Sequence, residues 1–204
     1  MNIAIIGTGM IGGGLCKAWM RKGHRIFLGT RNPLSDHVRA LVQMDEELVS
    51  AHAPEVAASK AEVILLAVPA DQAFDAVRLL GDTGNKVLID AMNAVFRKPA
   101  GFDSTGDAIR ANGNDHIVKA FNMIGAENMD NPHYGDTVAD LFICGEYPED
   151  KKIVLGLAED AGFRAFDLGG PELEPVLENL ALVWGKLAFG AGLGRNIAFK
   201  VLQS

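Results

Sequence analysis

The feature that most constrains this chain is a glycine-rich turn near its start, between an apolar run and a segment of helical character. The run Asn2–Ile6 predicts a buried strand, and the sequence GTGMIG at positions 7–12 follows it directly. Gly7 permits a tight turn, Gly9 lets a ligand approach the backbone, and Gly12 lets the following helix pack close to the strand. The N-terminus of that helix presents unpaired N–H groups and a partial positive charge. The pattern predicts a dinucleotide pyrophosphate site; a purely structural turn is the alternative.

The residues after the second apolar run indicate which dinucleotide is bound. A second strand is predicted at 25–28, and Gly29, Thr30, Arg31 and Asn32 follow it. Sites for NAD place an Asp or Glu about 20 residues after the glycine turn, where it binds the ribose 2′-hydroxyl. The first acidic residue after this strand is Asp36. A hydroxyl and a guanidinium instead suit a 2′-phosphate, so NADP(H) is predicted, although Arg31 could also be a solvated loop cation.

Strand and helix patterns alternate through most of the chain, which predicts the fold class. This alternation is typical of an α/β protein with a Rossmann-type, doubly wound and mostly parallel sheet. Ligands of such sheets bind beyond the carboxyl ends of the strands. The further strands are predicted at 62–68, 86–90, 116–121, 139–144 and 164–167, and the helices at 11–22, 36–44, 54–60, 71–80, 105–111 and 149–161.

The last part of the chain has a different pattern, so we predict a Rossmann domain at 1–168 and a small C-terminal helical segment at 169–204. Apolar residues recur every three or four positions over 171–189, which predicts an amphipathic helix. Glycines interrupt the pattern at 190–194, and it resumes at 196–202. This segment could pack on its own sheet, cover the cofactor cleft or pair with a second subunit, and we expect a homodimer. The periodic residues are Leu173, Val176, Leu177, Leu180, Trp184 and Leu187.

Composition and charge exclude several function classes. The 204 residues carry a net charge of −7, which argues against nucleic acid or an anionic membrane as the main partner. Cys16 and Cys144 lie far apart in apolar segments, so we expect buried free thiols and a cytoplasmic location. No apolar run reaches about 18 residues, which argues against a membrane-spanning helix. The histidines show no metal-ligand spacing, and no metal site is predicted.

Several stretches resemble a known family over nearly the whole length of the chain. They are GTGMIGGGL, LGTRNP, LLAVPADQ, LIDAMN, VKAFNMIGAENM and LEPVLENLALVWGKLAF. The chain resembles the small NADPH-dependent reductases of the deazaflavin coenzyme F420, and the related dinucleotide-binding domain of the STEAP metalloreductases. This resemblance implies a Rossmann-type fold and NADP(H) as cofactor, with coenzyme F420 or a flavin as a co-substrate.

The resemblance also implies a location for the nicotinamide end of the cofactor. The segment Ala67, Val68 and Pro69, which follows the central strand, would lie near the nicotinamide ribose. Asn93 and Asn122 would face the same end, although either could simply cap a turn. The predicted cofactor-binding residues are Gly7, Thr8, Gly9, Met10, Ile11, Gly12, Thr30, Arg31, Asn32, Ala67, Val68, Pro69, Asn93 and Asn122.

The predicted function is that of an NADP(H)-dependent oxidoreductase acting on a small-molecule acceptor. Hydride would move between nicotinamide and a flat ring stacked against it, a reaction that needs orientation and a dry pocket rather than a nucleophile. Asn122 is the candidate catalytic residue, as a hydrogen-bond donor to the acceptor carbonyl, whereas Lys119 is predicted to be structural or solvent-facing. The alternatives are a small imine or carbonyl reductase related to pyrroline-carboxylate reductase, and a non-catalytic NADP sensor.

Overall fold

Strands and helices alternate along the chain in the computed structural model, which describes residues 1–95 and 97–203. The strands of this part are β1 (Asn2–Ile6), β2 (Arg25–Gly29), β3 (Val49–His52), β4 (Val63–Leu66), β5 (Val87–Asp90), β6 (Ile117–Lys119), β7 (His133–Tyr134), β8 (Thr137–Val138), β9 (Asp140–Gly145) and β10 (Arg164–Asp167). The α-helices are α1 (Met10–Met20), α2 (Asp36–Val42), α3 (Pro54–Lys60), α4 (Ala73–Arg78), α5 (Thr105–Arg110), α6 (Pro148–Asp160) and α7 (Glu174–Gly185). A π-helical turn at Lys186–Gly190 extends α7.

The main sheet has eight strands within the described residues, in the order β10-β9-β6-β5-β4-β1-β2-β3. All neighbours from β3 to β6 are parallel, β9 runs antiparallel to β6, and β10 is parallel to β9. The run from β3 to β6 has the strand order of the Rossmann fold, so the predicted fold class is confirmed. The order reverses between β1 and β4, and this switch point is where such sheets bind ligands.

Two hydrophobic cores cover the two faces of this sheet. Successive side chains of a strand point to opposite faces, so Ile3 and Ile5 join one core while Ala4 and Ile6 join the other. Trp19 of α1 is fully buried in the first core. Because helices cover both faces, all four residues of β4 are buried, as its continuous apolar sequence predicts.

The sequence prediction was wrong or incomplete in three places. Strand β3 was not predicted, nor was the hairpin of β7 and β8, because both are short and polar. The predicted return to helix at 196–202 was wrong: this part of the tail contains no helix. It instead lies along the start of β9, where the Asp140 backbone N–H donates to the Phe199 carbonyl (3.0 Å). Gly192 and Gly194 adopt positive φ angles and turn the chain toward this contact.

The two cysteines are buried free thiols, as the sequence predicts. Burial raises the pKa of both Cys16 and Cys144 to about 12, so neither thiol ionises near neutral pH. Among residues 1–95 and 97–203, no helix is both long and apolar enough to cross a membrane. The same residues contain no group of three or more side chains suited to holding a metal ion.

Candidate functional site

Two cavities meet at the switch point of the sheet. The smaller has a volume of about 490 Å³ and lies beyond β1, β2 and β4. The larger, of about 610 Å³, lies beyond β4, β5 and β6 and extends to the C-terminal segment. Gly9 and the three residues Ala67, Val68 and Pro69 line both cavities. The cavities therefore form one groove around the glycine turn. A ligand could place one end in each cavity.

The glycine turn has the geometry that its sequence predicts. Gly7 has a φ of +102°, and a Cβ there would lie 2.4 Å from the Ala67 carbonyl oxygen. A Cβ on Gly12 would lie 2.0 Å from the Gly7 carbonyl oxygen, so α1 packs directly against the turn. A Cβ on Gly9, by contrast, would have no atom within 4 Å. The open space over Gly9, at the N-terminus of α1, therefore fits a pyrophosphate.

Two of the three residues predicted to select the cofactor, Thr30 and Arg31, line the smaller cavity. Thr30 and Arg31 follow β2 and lie beside Pro54, the first residue of α3. The Arg31 side chain is exposed and forms no ion pair with another described residue. Asn32 is not among the lining residues, and its backbone N–H donates to Thr30 Oγ1 (3.2 Å). A hydroxyl and an unengaged guanidinium thus face this end of the groove, which suits a 2′-phosphate.

Asn93 and Asn122 lie together at the larger cavity and bond to each other. Asn93 Nδ2 donates to the Asn122 carbonyl oxygen (2.6 Å), and Asn122 Nδ2 donates to Asn93 Oδ1 (2.9 Å). Asn122 Nδ2 also donates to the Leu177 carbonyl oxygen of α7 (3.2 Å). Asn122 Oδ1 is buried and has no hydrogen-bond partner within residues 1–95 and 97–203. Both amide hydrogens of Asn122 are therefore engaged, and its unengaged polar atom is an acceptor.

Most of the residues predicted to bind the cofactor thus line the two cavities. Every predicted cofactor-binding residue lines one of them except Gly12, which packs beneath the turn, and Asn32. The donor role predicted for Asn122 stays a prediction, although the geometry favours this residue as an acceptor.

The C-terminal segment forms a wall of the larger cavity that sequence reasoning did not assign. Trp184 donates from Nε1 to the Ile197 carbonyl oxygen (3.0 Å), which ties α7 to the returning tail. The Arg195 guanidinium lies 5.6 Å from the Trp184 ring and 5.7 Å from the Phe189 ring. Arg195 also forms an ion pair with Glu127. The helical periodicity identified an amphipathic helix but could not show which side chains reach the cavity. The predicted boundary at 168/169 stays a prediction.

Comparison with known proteins shows which family the chain resembles. Residues 2–94 match a family model described as NADP oxidoreductase, coenzyme F420-dependent. The matched segment covers a little less than half of the chain, which is therefore similar to this family over its N-terminal part. The predicted resemblance is thereby confirmed, and the matched family has the predicted class of NADP-dependent oxidoreductase.

Similar proteins extend this likeness beyond the matched residues. The chain is 25% identical to the F420-dependent NADP reductase of Methanocaldococcus jannaschii over 98% of its own length and 94% of that protein. A solved structure from Arthrobacter sp. FB24, assigned as an F420-dependent NADP reductase, has a TM-score of 0.85 and 28% identity, with both chains fully covered. The metalloreductase STEAP3 of Rattus norvegicus is 26% identical over 82% of this chain, which spans only 34% of that longer protein.

Beneath the larger cavity lies a fully buried cation, Lys119. Its Nζ contacts Asp90 Oδ2 (3.1 Å) and Glu178 Oε1 (2.9 Å), and donates to the Met92 carbonyl oxygen (2.8 Å). Burial lowers the pKa of Lys119, but the nearby carboxylates Asp90 and Glu178 outweigh this effect, so the pKa is raised overall. Lys119 does not line either cavity. The solvent-facing alternative was therefore wrong, and the burial and ion pairs of Lys119 favour the structural alternative.

Proposed function

We propose that this protein transfers hydride between NADP(H) and a flat aromatic acceptor, either coenzyme F420 or a flavin. The observation that carries the proposal is the continuity of the two cavities across Gly9 and the Ala67–Pro69 segment. The names of the similar reductases from M. jannaschii and Arthrobacter support the same acceptor class. Bound NADPH supplies the hydride from its nicotinamide ring, and the protein supplies orientation and electrostatics.

Each part of the groove has a distinct task in this proposal. Thr30 and Arg31 bind the 2′-phosphate, and the backbone over Gly9 receives the pyrophosphate. The nicotinamide enters the larger cavity beside Asn93 and Asn122. The remaining lining of this cavity is mostly apolar, which excludes water and leaves a surface against which a flat ring can stack. The main apolar lining residues are Met10, Ile11, Val68, Val95, Ile124, Leu182, Trp184 and Phe189.

The test is oxidation of NADPH by the purified protein, followed by loss of nicotinamide absorbance. Coenzyme F420, FMN, a cyclic imine and no acceptor are compared at equal protein concentration. We expect rapid oxidation with coenzyme F420 or FMN and none without an acceptor. Oxidation only with the imine would replace this proposal with an imine reductase. Tight NADPH binding with no turnover on any acceptor would favour a sensor instead.

We also propose that the active form is a homodimer. The C-terminal segment leaves several large apolar side chains exposed, among them Phe189 (65%) and Leu193 (60%). Val176 and Val183 on α7 are also exposed, seven positions apart and hence on the same helix face. A second copy of the chain would bury these side chains. The molar mass in solution at micromolar concentration tests this proposal, and a monomeric mass would contradict it.

A further inference from the structure

Asn122, which lines the larger cavity, has a buried side-chain oxygen, Oδ1, with no hydrogen-bond partner among the described residues. Asn122 is 4% exposed, and its Nδ2 is bonded to Asn93 and to the Leu177 carbonyl. Leaving a buried acceptor unpaired costs free energy, so native structures rarely contain such an atom without a reason. Asn122 lines the larger cavity, so a ligand there can reach the residue.

The orientation of the Asn122 amide follows from its neighbours. Rotating the amide by 180° would bring its oxygen against Asn93 Oδ1 and the Leu177 carbonyl oxygen, both of which are acceptors. Asn93 cannot rotate in compensation without turning its own oxygen toward the Asn122 carbonyl, to which its Nδ2 now donates. The hydrogen-bond pattern therefore assigns the unpaired atom as oxygen, an acceptor that requires a donor from the ligand.

We propose that Asn122 Oδ1 accepts a hydrogen bond from the carboxamide N–H of the nicotinamide ring. This inference rests on the proposed function, because it requires NADP(H) in the groove with its adenosine end beside Arg31. The pyrophosphate over Gly9 then directs the nicotinamide into the cavity that Asn122 lines. The carboxamide N–H₂ is the donor of that ring. Its bond to Asn122 determines which face of the ring meets the acceptor.

Phe121 is the positioning residue for this contact. Its φ is +61°, and it is the only non-glycine residue with a positive φ in the described part of the chain. A bulky residue in this conformation is an outlier that the surrounding structure must hold in place. The Phe121 ring is fully buried in edge contacts with Trp19 (5.9 Å between centroids) and Phe163 (6.1 Å). These contacts hold the backbone turn that brings Asn122 against Asn93.

The first test varies the ligand and leaves the protein unchanged. Calorimetry compares the binding of NADP⁺, of its 3-acetylpyridine analogue and of adenosine 2′,5′-bisphosphate. The analogue carries a methyl ketone in place of the carboxamide and so has no N–H to donate. We expect it to bind about tenfold more weakly than NADP⁺, the equivalent of one hydrogen bond. Equal binding of the two dinucleotides, with the bisphosphate still bound, would overturn this inference alone. Failure of the bisphosphate to bind would overturn the proposed function and this inference with it.

The second test varies the protein. In Asn122→Leu, NADP⁺ should bind about tenfold more weakly, while the analogue and the bisphosphate bind as before. The variant then no longer discriminates between NADP⁺ and the analogue. Asn179→Leu, at an exposed position on α7, is the matched control and should retain discrimination. Retained discrimination in Asn122→Leu would overturn the proposal. If that variant does not fold, the ligand comparison on the unchanged protein decides.

The role of Phe121 is tested by the same ratio of affinities. In Phe121→Leu, we expect the preference for NADP⁺ over the analogue to fall, while binding of the bisphosphate stays unchanged. A drop in thermal stability with an unchanged preference would show that Phe121 is only part of the core.

Discussion

Lys119 and Glu178 form an ion pair of 2.9 Å that joins the end of β6 to helix α7 beneath the candidate site. Glu178 Oε1 also accepts from the Ala94 backbone N–H (3.2 Å), so the same carboxylate holds the chain after β5. Asn122 lies three residues after Lys119, and the Leu177 carbonyl that it contacts immediately precedes Glu178. The buried pair therefore sets the distance between the sheet and the C-terminal wall of the cavity.

Replacing Lys119 with methionine should strongly destabilise the protein. The substitution leaves Asp90 and Glu178 buried without their cation, and breaking a buried pair in this way costs about 3–5 kcal/mol. The free energy of unfolding, measured with urea, checks this value. The control is Lys98→Met, because Lys98 pairs with Asp103 at the surface and should contribute less than about 1 kcal/mol. Equal losses in the two variants would contradict the structural role of Lys119.

Replacing Arg31 with alanine should weaken NADPH binding by about tenfold or more and leave NADH binding nearly unchanged. In the proposed site the guanidinium contributes a charge-assisted hydrogen bond to the 2′-phosphate, which NADH lacks. Dissociation constants for both dinucleotides, measured by fluorescence titration, give the ratio. Arg25→Ala is the matched control, since Arg25 is an exposed cation at the opposite end of the same strand. Equal weakening of NADPH and NADH by Arg31→Ala would rule out the 2′-phosphate assignment.

Two helical glycines should respond in opposite directions to alanine. A Cβ on Gly14 of α1 would lie 2.7 Å from Met129 Cβ, so Gly14→Ala should destabilise the protein by about 1–3 kcal/mol. A Cβ on Gly156 of α6 would have no atom within 4 Å, so Gly156→Ala should stabilise it by up to about 1 kcal/mol. Thermal unfolding of the two variants measures the difference, and a shift of the same sign in both would contradict the described packing of α1.

The hydrogen bonds and ion pairs that join the C-terminal tail to Asp140 should contribute less stability at low pH. Asp140 is buried, and it accepts hydrogen bonds from Arg164 Nε (2.7 Å), Lys200 Nζ (2.9 Å) and the Val201 backbone N–H (2.6 Å). Burial alone would raise the pKa of this carboxyl, but these partners hold it below its ordinary value of 3.8. A lowered pKa in the folded state contributes stability above the unfolded pKa, and this contribution is lost as the pH falls through the folded value.

Asp140→Asn tests this dependence. We expect the original protein to be more stable than the variant by a constant amount above about pH 5, and this advantage to shrink below pH 3.8. Unfolding free energies of both proteins from pH 7 to pH 3 measure the advantage. An advantage that stays constant across this range would show that the Asp140 carboxylate does not contribute through its charge.

Local signals predicted the glycine turn and much of the lining of the smaller cavity. Gly7 and Gly9 act through backbone geometry that their own sequence context determines, and Arg31 follows a strand that an apolar run identifies. Strand β3 was not predicted, because Val49–His52 has no long apolar run and obtains its strand structure from pairing with β2.

The larger cavity was predicted less completely because its properties arise from contacts between distant segments. Asn122 could be named from its place after a strand, but its unpaired oxygen depends on Asn93 and on Leu177 of α7. The tail at 196–202 has helical spacing, yet hydrogen bonds to Asp140 hold it without helix.

By itself the sequence determined the Rossmann-type alternation, the glycine turn and the place of Arg31 just after β2, because each depends on residues close together in the chain. Only the tertiary structure decided that Lys119 is buried between two carboxylates, that Trp184 and Arg195 wall the larger cavity, and that Asn122 keeps one free acceptor. These features depend on which side chains meet when α7 and the tail fold back onto the sheet. The periodicity of one segment cannot predict these contacts, because burial and hydrogen bonding also depend on the residues of the segment against which it packs.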